Sequence, residues 1–118
     1  MSKFCVSLTS IPPRFSGLEK TLDSLQNQNK KPEKFFLNIP KRFVRFQKTN
    51  YNFDYLLSKY DNLIIKNCED YGPGTKLLGS LNEVIKYDYV ILVDDDHIYR
   101  KEMLEIFYQQ AQKNLNNS

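Results

Sequence analysis

Five apolar residues in a row, Tyr89-Val90-Ile91-Leu92-Val93, run straight into Asp94-Asp95-Asp96. Val90, Ile91 and Val93 are β-branched and the run carries no charge, the pattern of a strand buried on both faces. A strand of that kind needs a sheet covered by helices on either side, which constrains the fold more than any other stretch of the chain. Its abrupt end constrains the chemistry. Three adjacent carboxylates, with no lysine or arginine before Arg100, repel one another unless a cation sits among them. Hard oxygen donors at the carboxyl end of an α/β strand suit Mg2+ or Mn2+, with a phosphate completing the shell. The competing reading is an acidic turn whose carboxylates complement the dipole of a following helix. One aspartate would suit either; three after an apolar strand favour the metal.

The rest of the chain alternates in the way such a sheet demands. Residues 3–9 read as a first strand, apolar at Phe4, Val6 and Leu8. Ile11-Pro12-Pro13-Arg14 stops it, because proline removes a donor and fixes its own backbone angle. Ser16, with Glu19 three residues on, has the form of a capping box. Leu18, Leu22 and Leu25 then recur on one helical face, and the polar stretch 27–32 ends that helix. Strands are expected at 35–39 and 63–65, with a short helix at 53–60 between them and a basic loop at 41–52. After Tyr71-Gly72-Pro73-Gly74 one helix is expected over 75–86, burying Leu77, Leu78, Leu81, Val84 and Ile85. A last helix follows at 101–113. The sum is one domain, 1–113, with a polar tail at 114–118: an α/β fold, a mostly parallel Rossmann-like sheet with helices on both faces. In such sheets ligands bind beyond the carboxyl ends of the strands. That rule gathers residues 9–14, 38–41, 67–76 and 94–97 on one rim.

Composition narrows the function classes. The chain has 118 residues, enough for one domain, of which 41% are hydrophobic and 26% charged. Its net charge of +3 is mild and its basic residues fall in short pairs such as Lys30-Lys31, so nucleic acid is not an expected partner. No run approaches the ~18 apolar residues of a membrane span, and the N-terminus lacks the apolar core of a signal peptide. Cys5 and Cys68 read as buried thiols and not a disulfide, in keeping with a cytoplasmic location.

Two motifs then resemble a known family. Leu18-x-x-Thr21-Leu22-x-Ser24-Leu25-x-x-Gln28, after a strand and an Ile-Pro turn, resembles the opening of family 2 and related GT-A glycosyltransferases. Gly72-Pro73-Gly74-Thr75-Lys76, followed by a strand ending in aspartates, resembles the same family's glycine, basic residue and DXD arrangement. The triple aspartate is similar to that of exostosin-type relatives. The resemblance covers residues 3 to about 105 and implies the nucleotide-sugar-binding half of such an enzyme, with a UDP-sugar as donor and Mn2+ or Mg2+ as cofactor. It makes Asp96 the direct metal ligand and sets Asp94 on the metal or the ribose, with Asp95 assisting. It turns Lys76 toward the donor phosphates and lines the pocket with Thr9, Ser10 and Arg14. The family often has an aspartate after strand two that reads the uracil. Here Asn38-Ile39-Pro40 stands instead, leaving Asp70 as the candidate.

The chain ends soon after the aspartates, whereas the family's acceptor groove and catalytic base lie downstream. The expectation from sequence is therefore poor transfer by this chain alone, toward an unknown acceptor, and self-association or a partner chain over apolar surface near the last strand. A donor-binding module without catalysis is the alternative. A haloacid-dehalogenase-like phosphatase also carries an Asp-x-Asp motif, but after its first strand and not its last. His97, beside the aspartates, reads as a surface residue. Phe35, Phe36, Phe43 and Phe46 read as core or loop anchors.

Overall fold

The computed structural model describes residues 3–10, 12–40, 53–69 and 74–116. Four strands, β1 (Phe4–Thr9), β2 (Lys34–Pro40), β3 (Leu63–Cys68) and β4 (Tyr89–Leu92), form one sheet in the order β3-β2-β1-β4. Every pairing is parallel. The helices are α1 (Leu18–Gln26), α2 (Asp54–Lys59), α3 (Thr75–Leu78), α4 (Leu81–Val84) and α5 (Met103–Asn116). The chain winds from β1 outward to β3, then returns to the far side of β1 for β4. The strand order therefore reverses between β1 and β4, the switch point where an open α/β sheet leaves a crevice at its carboxyl edge.

Side chains alternate across the pleat and sort the core into two layers. On one face Phe4, Val6, Leu8, Phe35, Leu37 and Leu63 pack with Leu18, Leu22 and Leu25 of α1, Leu56 of α2 and Leu104 and Tyr108 of α5. On the other face the buried cluster is Cys5, Phe36 and Val84, with Leu77 and Tyr87 against it. Helices thus cover both faces, as the alternation of elements requires. Phe35 and Phe36 are core, one on each side; Phe43, Phe46 and the expected 41–52 loop lie outside the described residues.

Four expectations are corrected. Among the described residues β4 is an edge strand paired only with β1, so its residues are half-buried and Leu92 is 39% exposed; Tyr89 and Ile91 pack on one core layer and Val90 on the other, so each face is covered only in part. Ser16 caps nothing. The two prolines start a 3-10 helix, Pro12–Gly17, which runs directly into α1, and Gly17 at the helix start is itself αR with no side-chain cap bond. A capping side chain needs the extended backbone that this tight run excludes. The single helix expected at 75–86 is two short ones, broken at Gly79-Ser80. A Cβ on Gly79 would lie 2.8 Å from Asn38 Cβ, Cys68 Sγ and the Thr75 carbonyl, so the chain passes too close to the sheet for a regular helix face. The break turns Leu78, Leu81 and Ile85 to solvent, at 46%, 42% and 69% exposure, and leaves Val84 as the buried member. The last helix begins later and ends later than 101–113. Cys5 is a buried thiol and Cys68 a half-buried one.

Candidate metal site at the carboxyl edge

The ladder of β4 extends one residue past the strand, through a bond from the Val93 amide to the Ser7 carbonyl at 3.1 Å. Val93 is buried, and beyond it the three aspartates part company. Asp94 and Asp96 are exposed, whereas Asp95 turns inward and is 4% exposed. A buried carboxylate needs partners, and it has them. Ser10 donates to Asp95 Oδ2 at 2.5 Å and Arg14 Nη1 stands 3.1 Å from Oδ1. Thr21 donates to the Asp95 carbonyl at 2.9 Å. The middle aspartate is the rivet of the turn.

With Asp95 held inward, its neighbours face solvent together. Asp94, Asp96 and His97 each present a ligand atom, all within 4.8 Å of one another. His97 Nε2 is 3.6 Å from Asp96 Oδ1 and 3.8 Å from Asp94 Oδ2. Lys76, the second residue of α3, brings Nζ to 3.5 Å from Asp94 Oδ1. Its backbone is anchored from the sheet: Ser7 donates to the Lys76 carbonyl, and Asn38 Nδ2 donates to the Thr75 carbonyl at 3.0 Å and the Lys76 carbonyl at 3.3 Å. Asn38 is fully buried by this duty and is not open to a nucleobase.

Tyr99 braces Asp94 from the other side. Its hydroxyl accepts from the Asp94 amide at 2.8 Å and donates to the Asp94 carbonyl at 3.1 Å. Burial pushes the Tyr99 phenol above its ordinary value; the bond to Asp94 opposes this, and the three nearby carboxylates reinforce it. The phenol therefore keeps its proton at neutral pH and keeps both bonds.

The residues singled out from sequence thus fall into three groups. Lys76, Asp94 and Asp96 meet at the open site. Ser10, Arg14 and Asp95 form the support beneath it, with half of the Arg14 side chain still exposed. Thr9 lies farther along the rim and donates to the Asn38 carbonyl at 2.6 Å. Asp70 and the glycine turn before Gly74 lie outside the described residues. Sequence reasoning set His97 aside as surface, yet it is the third member of the cluster, and proximity to the aspartates was its only signal.

The two carboxylates are donors that suit Mg2+ or Mn2+, and the imidazole is a softer donor that also suits ions such as Zn2+ or Fe2+. The three ligand atoms are close enough to share one ion, and their exposure leaves its remaining positions open to ligand oxygens. Beside the site, a groove of about 510 Å3 runs from His97 and Tyr99 past Arg100 to Met103, Ile106 and Phe107.

The class that the structure defines is one of fold: an α/β domain with a four-stranded, all-parallel, Rossmann-like sheet and helices on both faces. Among solved structures the chain is similar to Staphylococcus aureus TarS, residues 1–349, a glycosyltransferase. The TM-score is 0.65 at 21% identity, over 94% of this chain and 32% of that one. The chain thus spans about a third of the length of the structure it matches, and the likeness is one of fold. No protein-family model matches the sequence and no curated protein matches it. No helix among the described residues is long and apolar enough to cross a membrane.

Proposed function

We propose that this chain binds a nucleotide-sugar, a UDP-sugar foremost, through a divalent metal at Asp94, Asp96 and His97, and serves glycosyl transfer to an acceptor of unspecified class. The observation that carries the reading is the convergence of these three ligand atoms within 4.8 Å at the β1/β4 switch point of a glycosyltransferase-like sheet. When bound, Mn2+ or Mg2+ supplies Lewis-acid stabilisation of a diphosphate leaving group.

The chain's own residues do the rest. Asp96 and Asp94 hold the cation, and His97 adds a nitrogen donor. Lys76, 3.5 Å from Asp94, has a flexible stem that would let its ammonium pair with the donor phosphates. Arg14, with half of its side chain exposed, offers a second phosphate contact. Thr9 and Ser10 line the same rim, their hydroxyls engaged with the protein itself. Asp70 remains the proposed base-reading residue. The apolar groove beginning at His97 gives an acceptor a route to the site.

The test is thermal. UDP at ~100 times its dissociation constant stabilises a folded chain by about 2.7 kcal/mol, a rise on the order of 10 °C for a chain this size. The rise is expected with Mn2+ present, absent in EDTA, and absent in Asp96→Ala, whose exposed side chain leaves the core untouched. Equal stabilisation by UDP in EDTA would overturn the metal's role.

A further inference from the structure

The apolar face of α1 carries a second message. Thr21 and Ser24 lie among its buried leucines and Gln28 follows two residues past its end, at 2%, 9% and 2% exposure. Polar residues on a core face are costly unless they bond, and all three bond to one target. Thr21 donates to the Asp95 carbonyl at 2.9 Å. Ser24 donates to the Thr21 carbonyl at 2.7 Å and accepts the Tyr99 amide at 3.0 Å. Gln28 donates through Nε2 to the Arg100 carbonyl at 2.6 Å and accepts the Leu104 amide on Oε1 at 2.9 Å. Its Nε2 also lies 3.1 Å from the Ser24 carbonyl.

Residues 93–100 have no helix or strand of their own, so their backbone groups need partners from elsewhere. Thr21, Ser24 and Gln28 supply those partners in the order in which the loop passes them. The bonds also bracket the proposed ligands. Thr21 fixes the residue between Asp94 and Asp96, and Ser24 fixes Tyr99, whose hydroxyl clamps both backbone groups of Asp94.

We propose that Thr21, Ser24 and Gln28 are positioning residues for the metal site: a polar rail along α1 and the turn just after it that sets the spacing of Asp94, Asp96 and His97 from inside the core. This rests on the metal reading above and adds to it a group of residues that touch neither metal nor ligand. Groups one shell removed from a metal commonly change its affinity by 10–100-fold, and Thr21, one bond from the turn between the two carboxylates, is the most direct.

The experiment compares wild type, Thr21→Val, Thr21→Ser and Gln28→Met. Each is checked for an intact circular dichroism spectrum and then measured by Mn2+ titration and by amide hydrogen exchange at Tyr99 and Leu104. Thr21→Val removes the donor at nearly constant volume and should weaken Mn2+ roughly tenfold. Thr21→Ser restores the hydroxyl and should recover most of that loss, which packing alone would not produce. Gln28→Met should speed exchange at Leu104 more than at Tyr99. Mn2+ bound equally by wild type and Thr21→Val, or equally weakly by the Val and Ser variants, would overturn the proposal. If wild type itself binds no Mn2+, the metal reading fails separately. Hydrogen exchange then decides the rail: faster exchange in the variants upholds the fastening of the loop, and unchanged exchange removes it.

Discussion

The two faces of the sheet are built on different principles. The face under α1, α2 and α5 is a thick apolar layer, with Leu8, Leu18, Leu25, Leu37, Leu56 and Leu104 each fully buried, crossed at one side by the buried polar Thr21, Ser24 and Gln28. The face under α3 and α4 has three buried apolar residues, Cys5, Phe36 and Val84, and is tied down by polar bonds from Ser7 and Asn38 to the carbonyls of α3. The carboxylate turn leans on the first face and Lys76 is carried by the second. The proposed metal ligands therefore rest on a large, close-packed layer, where geometry is stiff, while the basic residue sits on a short helix broken at Gly79-Ser80 and carries its charge on a long side chain. That division suits a site in which the cation must be held in a fixed cage and the counter-charge must move.

The comparison can be broken first by cavity formation. Leu22→Ala on the thick face should cost about 2–5 kcal/mol, whereas Val84→Ala on the thin face should cost about 1–2 kcal/mol. Urea unfolding of both variants measures the difference, and equal costs would contradict the asymmetry. Gly79→Ala should come next. Its new methyl would meet Asn38, Cys68 and the Thr75 carbonyl at 2.8 Å, and forcing an atom into such a place costs about 1–3 kcal/mol. Because the Gly79 amide closes α3 by bonding to the Thr75 carbonyl at 3.0 Å, this variant should also loosen α3, seen as faster amide exchange at Gly79 and Ser80.

The smallest effects come from surface ties, one on each face. The Tyr60 hydroxyl, with help from Lys59, holds the Asp23 carboxyl below its usual value; Lys66 does the same for Glu83. A carboxyl lowered in the folded chain stabilises it above the unfolded pKa and loses that contribution as pH falls through the folded one. Melting temperature should therefore decline from about pH 5 toward pH 3, and Asp23→Asn and Glu83→Gln should each flatten part of that decline. A slope unchanged in both variants would remove these ties from the account.

Much of the fold was legible because it follows local pattern. Leu18, Leu22 and Leu25 repeat at helical spacing, and β1 to β3 carry apolar runs between turn residues. The carboxylate cluster was legible for the same reason, as charge stacked against an apolar run. The missing parts depend on contacts distant in sequence. The apolar run of β4 reads identically for a central strand and an edge strand, since only its neighbours distinguish them. The break in α3–α4 arises from Gly79 meeting Asn38 and Cys68, which no helical periodicity encodes. Asp95 looked like its two neighbours until Ser10 and Arg14 claimed it. Thr21 and Ser24 did leave a signal, as polar residues on the apolar face of an amphipathic helix, and Gln28 follows just after it, although their target lies more than 70 positions on.

Asp94, Asp96 and His97 are proposed to hold one divalent cation against a nucleotide diphosphate. Calorimetric titration of Mn2+ in the presence of UDP tests it most directly, on wild type and on Asp94→Asn/Asp96→Asn. The substitutions are nearly isosteric and lie at exposed positions, so the fold should persist while the negative charge is lost. The account predicts one saturable Mn2+ site in wild type and at least tenfold weaker binding in the double variant, with His97→Ala intermediate. Indistinguishable titrations of wild type and the double variant would contradict it.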